Sequence, residues 1–169
     1  GTLRTATVDG FAAALSPGGE ILDEYRFRTV DPTGIPVGVL DSGVVVEFHT
    51  DDGAVREEVR AWARDGSLRW TFADLPGTGV QLGDARGEMV VLAEDYAPGL
   101  IVRSSDGSVL RRTDMGLPVG RVFIDADERI WVLTRALNEE RLGSWIVFDG
   151  ELNPLMRLTE GQIEDAWGD

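Results

Sequence analysis

The chain has no cysteine, no lysine and a single histidine. Without cysteine there is no disulfide, no thiol nucleophile and no thiolate metal site, and a cysteine-free chain suits cytosol and periplasm equally. All 16 basic residues are arginine, a bias that reads as a GC-rich genome rather than as chemistry. The lone histidine leaves one possible Ser–His–Asp base, and no Gly-x-Ser-x-Gly elbow surrounds any serine. No Gly-x-Gly-x-x-Gly or phosphate-loop pattern is present, so nucleotide binding has no signature. No apolar run approaches the roughly 18 residues that span a bilayer, and no membrane insertion is expected. Basic residues are scarce beside the 30 acidic ones; the net charge of −14 repels phosphate backbones and anionic lipid, so nucleic acid is not an expected partner.

What is present is a repeat. Apolar runs flank Gly-centred turns at Ser16-Pro17-Gly18-Gly19-Glu20-Ile21, Arg64-Asp65-Gly66-Ser67-Leu68, Ser105-Asp106-Gly107-Ser108-Val109 and Phe148-Asp149-Gly150-Glu151-Leu152. The glycines 19, 66, 107 and 150 are 47, 41 and 43 residues apart. An all-β repeat of about 40 residues marks a β-propeller blade. The expected fold is all-β, built from four-stranded antiparallel blades, about four of them.

Each blade reads as strands a to d. Residues 1–30 supply strands b to d, full blades occupy 31–74, 75–115 and 116–160, and 161–169 supply strand a of a next blade. In the first full blade Val37–Leu40 is strand a, Val44–Phe48 strand b, His49–Gly53 a loop, Val55–Ala63 strand c and Leu68–Phe72 strand d. Asp31-Pro32, Leu75-Pro76-Gly77 and Leu117-Pro118 break the chain between blades. Two readings of the ends stay open. Either the terminal strands complete one blade and close a four-bladed ring, or the chain, which starts at Gly1, is a piece of a larger propeller. In the second case open blade edges invite self-association.

Ile124-Asp125-Ala126-Asp127-Glu128-Arg129-Ile130-Trp131-Val132, followed by Trp145 to Leu152, resembles the blades of bacterial NHL-like six-bladed propellers, as does Val55–Val59 leading to Asp65-Gly66-Ser67-Leu68. The resemblance implies a six-bladed relative and favours a periplasmic or secreted location. Arg64 to Trp70 also looks like a quinoprotein-type repeat, which places a Trp after the Gly turn; Trp70 is read as blade packing.

His49 lies in a rim loop beside Asp51, Asp52 and Glu47, where propellers build sites. The polar stretch from Arg135 through Asn138 to Arg141 is the longest excursion within a blade. The carboxylates Asp125, Asp127 and Glu128 suit a hard cation but equally suit a tight turn. Trp62, Trp131 and Trp145 are blade packing or, alternatively, a ligand platform. The first strands begin Ile35–Gly38, Gly79–Gln81 and Leu117–Gly120 without a carboxylate, which argues against a lactonase-type channel metal, with Glu164 and Asp165 as the exceptions. No cofactor and no metal are expected. The expected function is a non-catalytic binding or scaffold domain for an unknown protein or small molecule, with His49, Asp51, Asp52, Arg135, Asn138 and Arg141 as candidate contacts. The alternatives are a hydrolase of lactonase type whose site lies partly in further blades, and a purely structural repeat of a larger exported protein.

Overall fold

A computed structural model describes residues 2–28, 34–50, 57–72, 81–94, 99–135, 142–159 and 162. Its regular structure is almost entirely β: β1 (Leu3–Ala6), β2 (Phe11–Leu15), β3 (Ile21–Arg26), β4 (Gly34–Val39), β5 (Val45–Thr50), β6 (Glu57–Trp62), β7 (Leu68–Phe72), β8 (Gln81–Arg86), β9 (Met89–Glu94), β10 (Gly99–Ser104), β11 (Val109–Asp114), β12 (Val119–Ile124), β13 (Ile130–Arg135), β14 (Leu142–Phe148) and β15 (Pro154–Leu158). The strands form a three-stranded sheet β1-β2-β3, an eight-stranded sheet ordered β11-β10-β9-β8-β4-β5-β6-β7, and a four-stranded sheet β12-β13-β14-β15. The eight-stranded sheet is two antiparallel meanders joined by one parallel bridge, Gly38 to Ala85.

The chain divides into two compact units, Gly1–Thr78 with Ala85–Val90 and Ser104–Ser108, and Gly79–Asp84 with Val91–Arg103 and Val109–Asp169. In the first, Ala12, Phe27, Val39 and Val45 form a core against which Ala6, Tyr25 and Trp62 pack. In the second, Val119, Val122, Ile124, Ile130, Val132, Val147 and Phe148 are buried along β12–β14. β-branched and aromatic residues fill these positions because a pleated, half-buried surface suits them.

The turns between the third and fourth strands follow from side-chain chemistry. In three of them an Asp folds back on its own turn and accepts backbone N–H groups: Asp65 from Ser67 (3.0 Å), Asp106 from Ser108 (2.9 Å), and Asp149 from Glu151 and Asn153 (both 2.9 Å). One residue per turn is left-handed: Gly19 (φ 85°), Gly66 (82°), Gly107 (86°) and Leu152 (61°). The fourth equivalent residue is therefore Leu152 and not Gly150, because its turn closes from Leu152 N–H to the Asp149 carbonyl, two residues later than the sequence pattern suggests. A left-handed non-glycine residue costs about 1–2 kcal/mol. Leu152→Gly is accordingly expected to raise the urea midpoint, by about 0.5–1 kcal/mol once glycine's greater unfolded-state freedom is set against it.

Several boundaries move from the sequence expectation. His49 is not in a loop: β5 runs to Thr50, and His49 pairs across to Gly34 and Glu58. Arg135 closes β13, and Leu142 and Gly143 open β14. The polar excursion is thus shorter than it reads, because the Thr134 hydroxyl accepts the Ser144 N–H and donates to the Ser144 carbonyl, each at 3.1 Å, keeping the two strands paired. Asp84 lies within β8. Gln162, expected at the start of a strand, is helical, with its N–H on the Thr159 carbonyl at 3.0 Å. Glu164 and Asp165 fall outside the described residues.

Candidate functional site

Counting from the left-handed turn residue puts the four repeats in one register. Residues 14, 61, 102 and 147 on the third strands pair with residues 23, 70, 111 and 156 on the fourth. In the second repeat this rung continues through Val46 to Gly38. In the fourth it reads Phe123, Trp131, Val147, Met156. Val46 and its third-repeat equivalent Val90 are wholly buried. Trp131 occupies the same position half-buried.

The sheet β12-β13-β14-β15 therefore carries aromatic rings where the second and third repeats carry Val46 and Val90, while the first carries Arg4, paired with Ala14. Phe123 stacks on Trp131 (centroids 5.6 Å apart, 9° between planes), and Trp145 meets both edge-on, at 5.5 and 6.3 Å. Such geometry is favourable beyond area burial. The Trp131 indole is held in place by its N–H on Asp125 Oδ2 at 2.8 Å. Burial alone would push the Asp125 carboxyl up. The Trp131 N–H, the Arg129 backbone and guanidinium and the Asp127 N–H outweigh that and hold it at about 2. Both Asp125 oxygens are thereby engaged, Oδ1 by the N–H groups of Asp127 and Arg129 and Oδ2 by Arg129 Nε and Trp131. Asp127 accepts from Arg129 Nη2 at 2.7 Å. These carboxylates build the turn and lock the indole, and no group of three His, Cys, Asp or Glu able to hold a metal occurs among the described residues.

Asp106 is likewise lowered to about 2, first by the Ser104 hydroxyl and then by Ser108. Both carboxyls sit below their ordinary value of 3.8 in the folded chain. They contribute stability above that pH and lose it as pH falls through about 2. The urea midpoint is expected to fall over that interval, and to fall less steeply in Asp125→Asn.

A second cluster lies around His49, in the first unit. Glu47 and His49 are 0% and 2% exposed, and Arg28 5%. Glu47 Oε1 accepts the Trp62 indole N–H at 2.8 Å, its Oε2 lies 3.5 Å from Arg28 Nε, and Arg28 Nη2 donates to the Val8 carbonyl at 2.6 Å. Gly34 lies against the carboxylate, with room for no Cβ. His49 reads from the sequence as a rim-loop residue beside Glu47, but β5 continues through it and both side chains are buried. The positions equivalent to Glu47 in β9 and β13 are Val91 and Val132, both wholly buried. An ion pair thus replaces a valine at this one place and ties the end of β3 to β5. Arg28 carried no sequence signal beyond its neighbour Phe27.

Of the other candidate contacts, Arg135 lies with its side chain across Gly120 and its N–H on the Pro118 carbonyl at 2.7 Å. Asp51, Asp52, Asn138 and Arg141 fall outside the described residues. Asp84 supplies a carboxylate to a first strand, and its Oδ2 accepts the Ile124 N–H at 2.7 Å. A groove of about 450 Å³ is lined by Met115, Ile146, Phe148, Leu155 and Met156 among others; Ile146 and Phe148 alternate with Trp145 and Val147 along β14 and so belong to the face away from the aromatic rings. Trp131 and Trp145 were recognised in the sequence as packing or platform. Phe123 and Met156 were missed, and aligning the repeats on Leu152 instead of Gly150 is the signal that finds them.

No family model matches the chain, and no curated protein matches it by sequence. Solved structures do. BamB from Moraxella catarrhalis superposes with a TM-score of 0.52 at 15% identity over 94% of this chain and 46% of its own. The Pan2 WD40 domain of Neurospora crassa gives 0.51 at 14%, over 94% and 46%. A protein of unknown function from Bacteroides caccae gives 0.50 at 14%, over 94% and 57%. At this identity the likeness defines the fold: the chain is built as part of a β-propeller. It spans about half the length of the structures it matches.

Proposed function

We propose that this chain is a non-catalytic β-propeller binding domain that takes its partner on the aromatic face of the sheet β12-β13-β14-β15. The observation that carries the reading is the departure from the repeat at Trp131, with Phe123 and Trp145 beside it. The second and third repeats place the buried valines Val46 and Val90 there, and the first places Arg4. The chemistry available on such a face is burial and ring stacking, which is what the centre of a protein-binding surface uses. Kinship with the NHL-like six-bladed group, and the bacterial, exported setting it implies, belong to this proposal and rest on Ile124–Val132 and Trp145–Leu152.

The test is selection from a random peptide library on the immobilised chain, followed by the variant Trp131→Val, which installs the repeat's own residue. Selected peptides are expected to bind the variant at least tenfold more weakly, about 1.4 kcal/mol, while the variant still unfolds cooperatively in urea from a folded state. Peptides that bind both alike, or a selection that returns no binder, overturn the reading.

A further inference from the structure

We propose that a second copy of this chain covers this face, seating its own β2–β3 turn on Met156. The inference rests on the reading above and names the partner.

One contact recurs along the chain. The residue four positions after each left-handed turn residue reaches the equivalent turn one repeat later. Asp23 takes the two terminal nitrogens of Arg64. Trp70 donates its indole N–H to the Ser105 carbonyl at 3.0 Å, and its ring lies so close over Gly107 that an added Cβ would come within 2.7 Å. Arg111 Nη2 reaches Glu151 at 2.7 Å. The chemistry differs each time and the position does not. The fourth residue in the series is Met156, 48% exposed beside Leu155 at 55%.

The receiving turns show the complementary gap. Those at Gly66, Gly107 and Glu151 each meet the preceding repeat. Among the described residues the β2–β3 turn is open: a Cβ on Gly19 would meet nothing within 4 Å, and one on Gly18 only its own Ser16 hydroxyl at 3.7 Å. Pro17, Gly18 and Gly19 present little side chain, so a methionine can lie on them as Trp70 lies on Gly107. Among the described residues the seat at Met156 and the turn at Gly18–Gly19 each lack the contact that the series makes elsewhere, and two copies satisfy both head to tail. The matched propellers BamB and Pan2 hold about two such lengths in one chain. A contact of this kind is heterologous, so it closes at two copies or runs on into a longer array.

Charge makes the association recognisable. Two molecules of net charge −14 repel, and salt screens that repulsion without weakening an apolar seat. Self-association is expected to strengthen as salt rises.

The absence of cysteine permits a clean experiment. Met156→Cys and Gly18→Cys are prepared separately and mixed under mild oxidation. The expected result is a disulfide-linked pair containing one of each, more abundant at high salt and in excess over like-with-like pairs. Light scattering of the unmodified chain should show mass rising with concentration, and Met156→Lys should weaken the association at least tenfold while unfolding in urea as the parent does. A concentration-independent monomer with no mixed crosslink overturns the proposal. So does a double variant that crosslinks within one chain at monomer mass, since the turn is then supplied by the same molecule. Neither result touches the peptide-binding test, whose outcome stands by itself.

Discussion

Glu47→Ala is expected to lower the stability of the chain by about 3–5 kcal/mol, the cost of leaving a buried charge without its counterion. Arg28 and Glu47 are buried together, with side chains 4% and 0% exposed. Their mutual satisfaction is incomplete: Arg28 Nε and Nη1 and Glu47 Oε2 make no hydrogen bond among the described residues. Removing the carboxylate strands the guanidinium and also frees the Trp62 indole N–H. The repeat itself supplies the control, because Val91 and Val132 fill the equivalent positions. The double variant Arg28→Met, Glu47→Val should recover most or all of the loss, as apolar replacements of buried ion pairs commonly do. Urea unfolding of the two single variants and the double gives the coupling directly. If the double variant is as unstable as the sum of the singles, the pair does not act as a unit.

Gly38→Val is expected to cost about 3 kcal/mol, at the upper end of ordinary overpacking. Gly38 is where β4 bridges β8, and a Cβ there would come within 2.8 Å of both the Cβ and the carbonyl oxygen of Ala85, and 3.0 Å of its nitrogen. Two of those atoms are backbone and cannot step aside as a flexible side chain can. Gly38→Ala should lose stability in the same direction by less, and Ala85→Gly in the same chain should restore part of it. A urea midpoint unchanged in Gly38→Val would mean that β4 and β8 do not meet at this register.

The repeat was legible because its turns use side chains with a local mechanism. Asp65, Asp106 and Asp149 bond to backbone within a few residues, so the sequence carries the whole device. Leu152 escaped because a left-handed leucine has no composition signal, and Gly150 stood close enough to be taken for it. His49 was misread for the opposite reason. The polar run from His49 to Gly53 looks like a loop, but strand length is set by pairing with β4 and β6, which lie well away in sequence. The burial of Glu47 was equally hidden, since it depends on Arg28 arriving from another sheet. The aromatic face became visible only after the rungs fixed which residues share a position. Trp131 by itself looks like core; beside Val46 and Val90 it is a departure.

The most direct test of this account is amide hydrogen exchange of the chain with and without a peptide selected for binding. Slowed exchange concentrated in β13–β15 is the predicted result, with Trp131→Val abolishing the effect. Protection confined instead to the strand ends around Gly34 and His49, with β13–β15 exchanging as before, would contradict the assignment of the aromatic face.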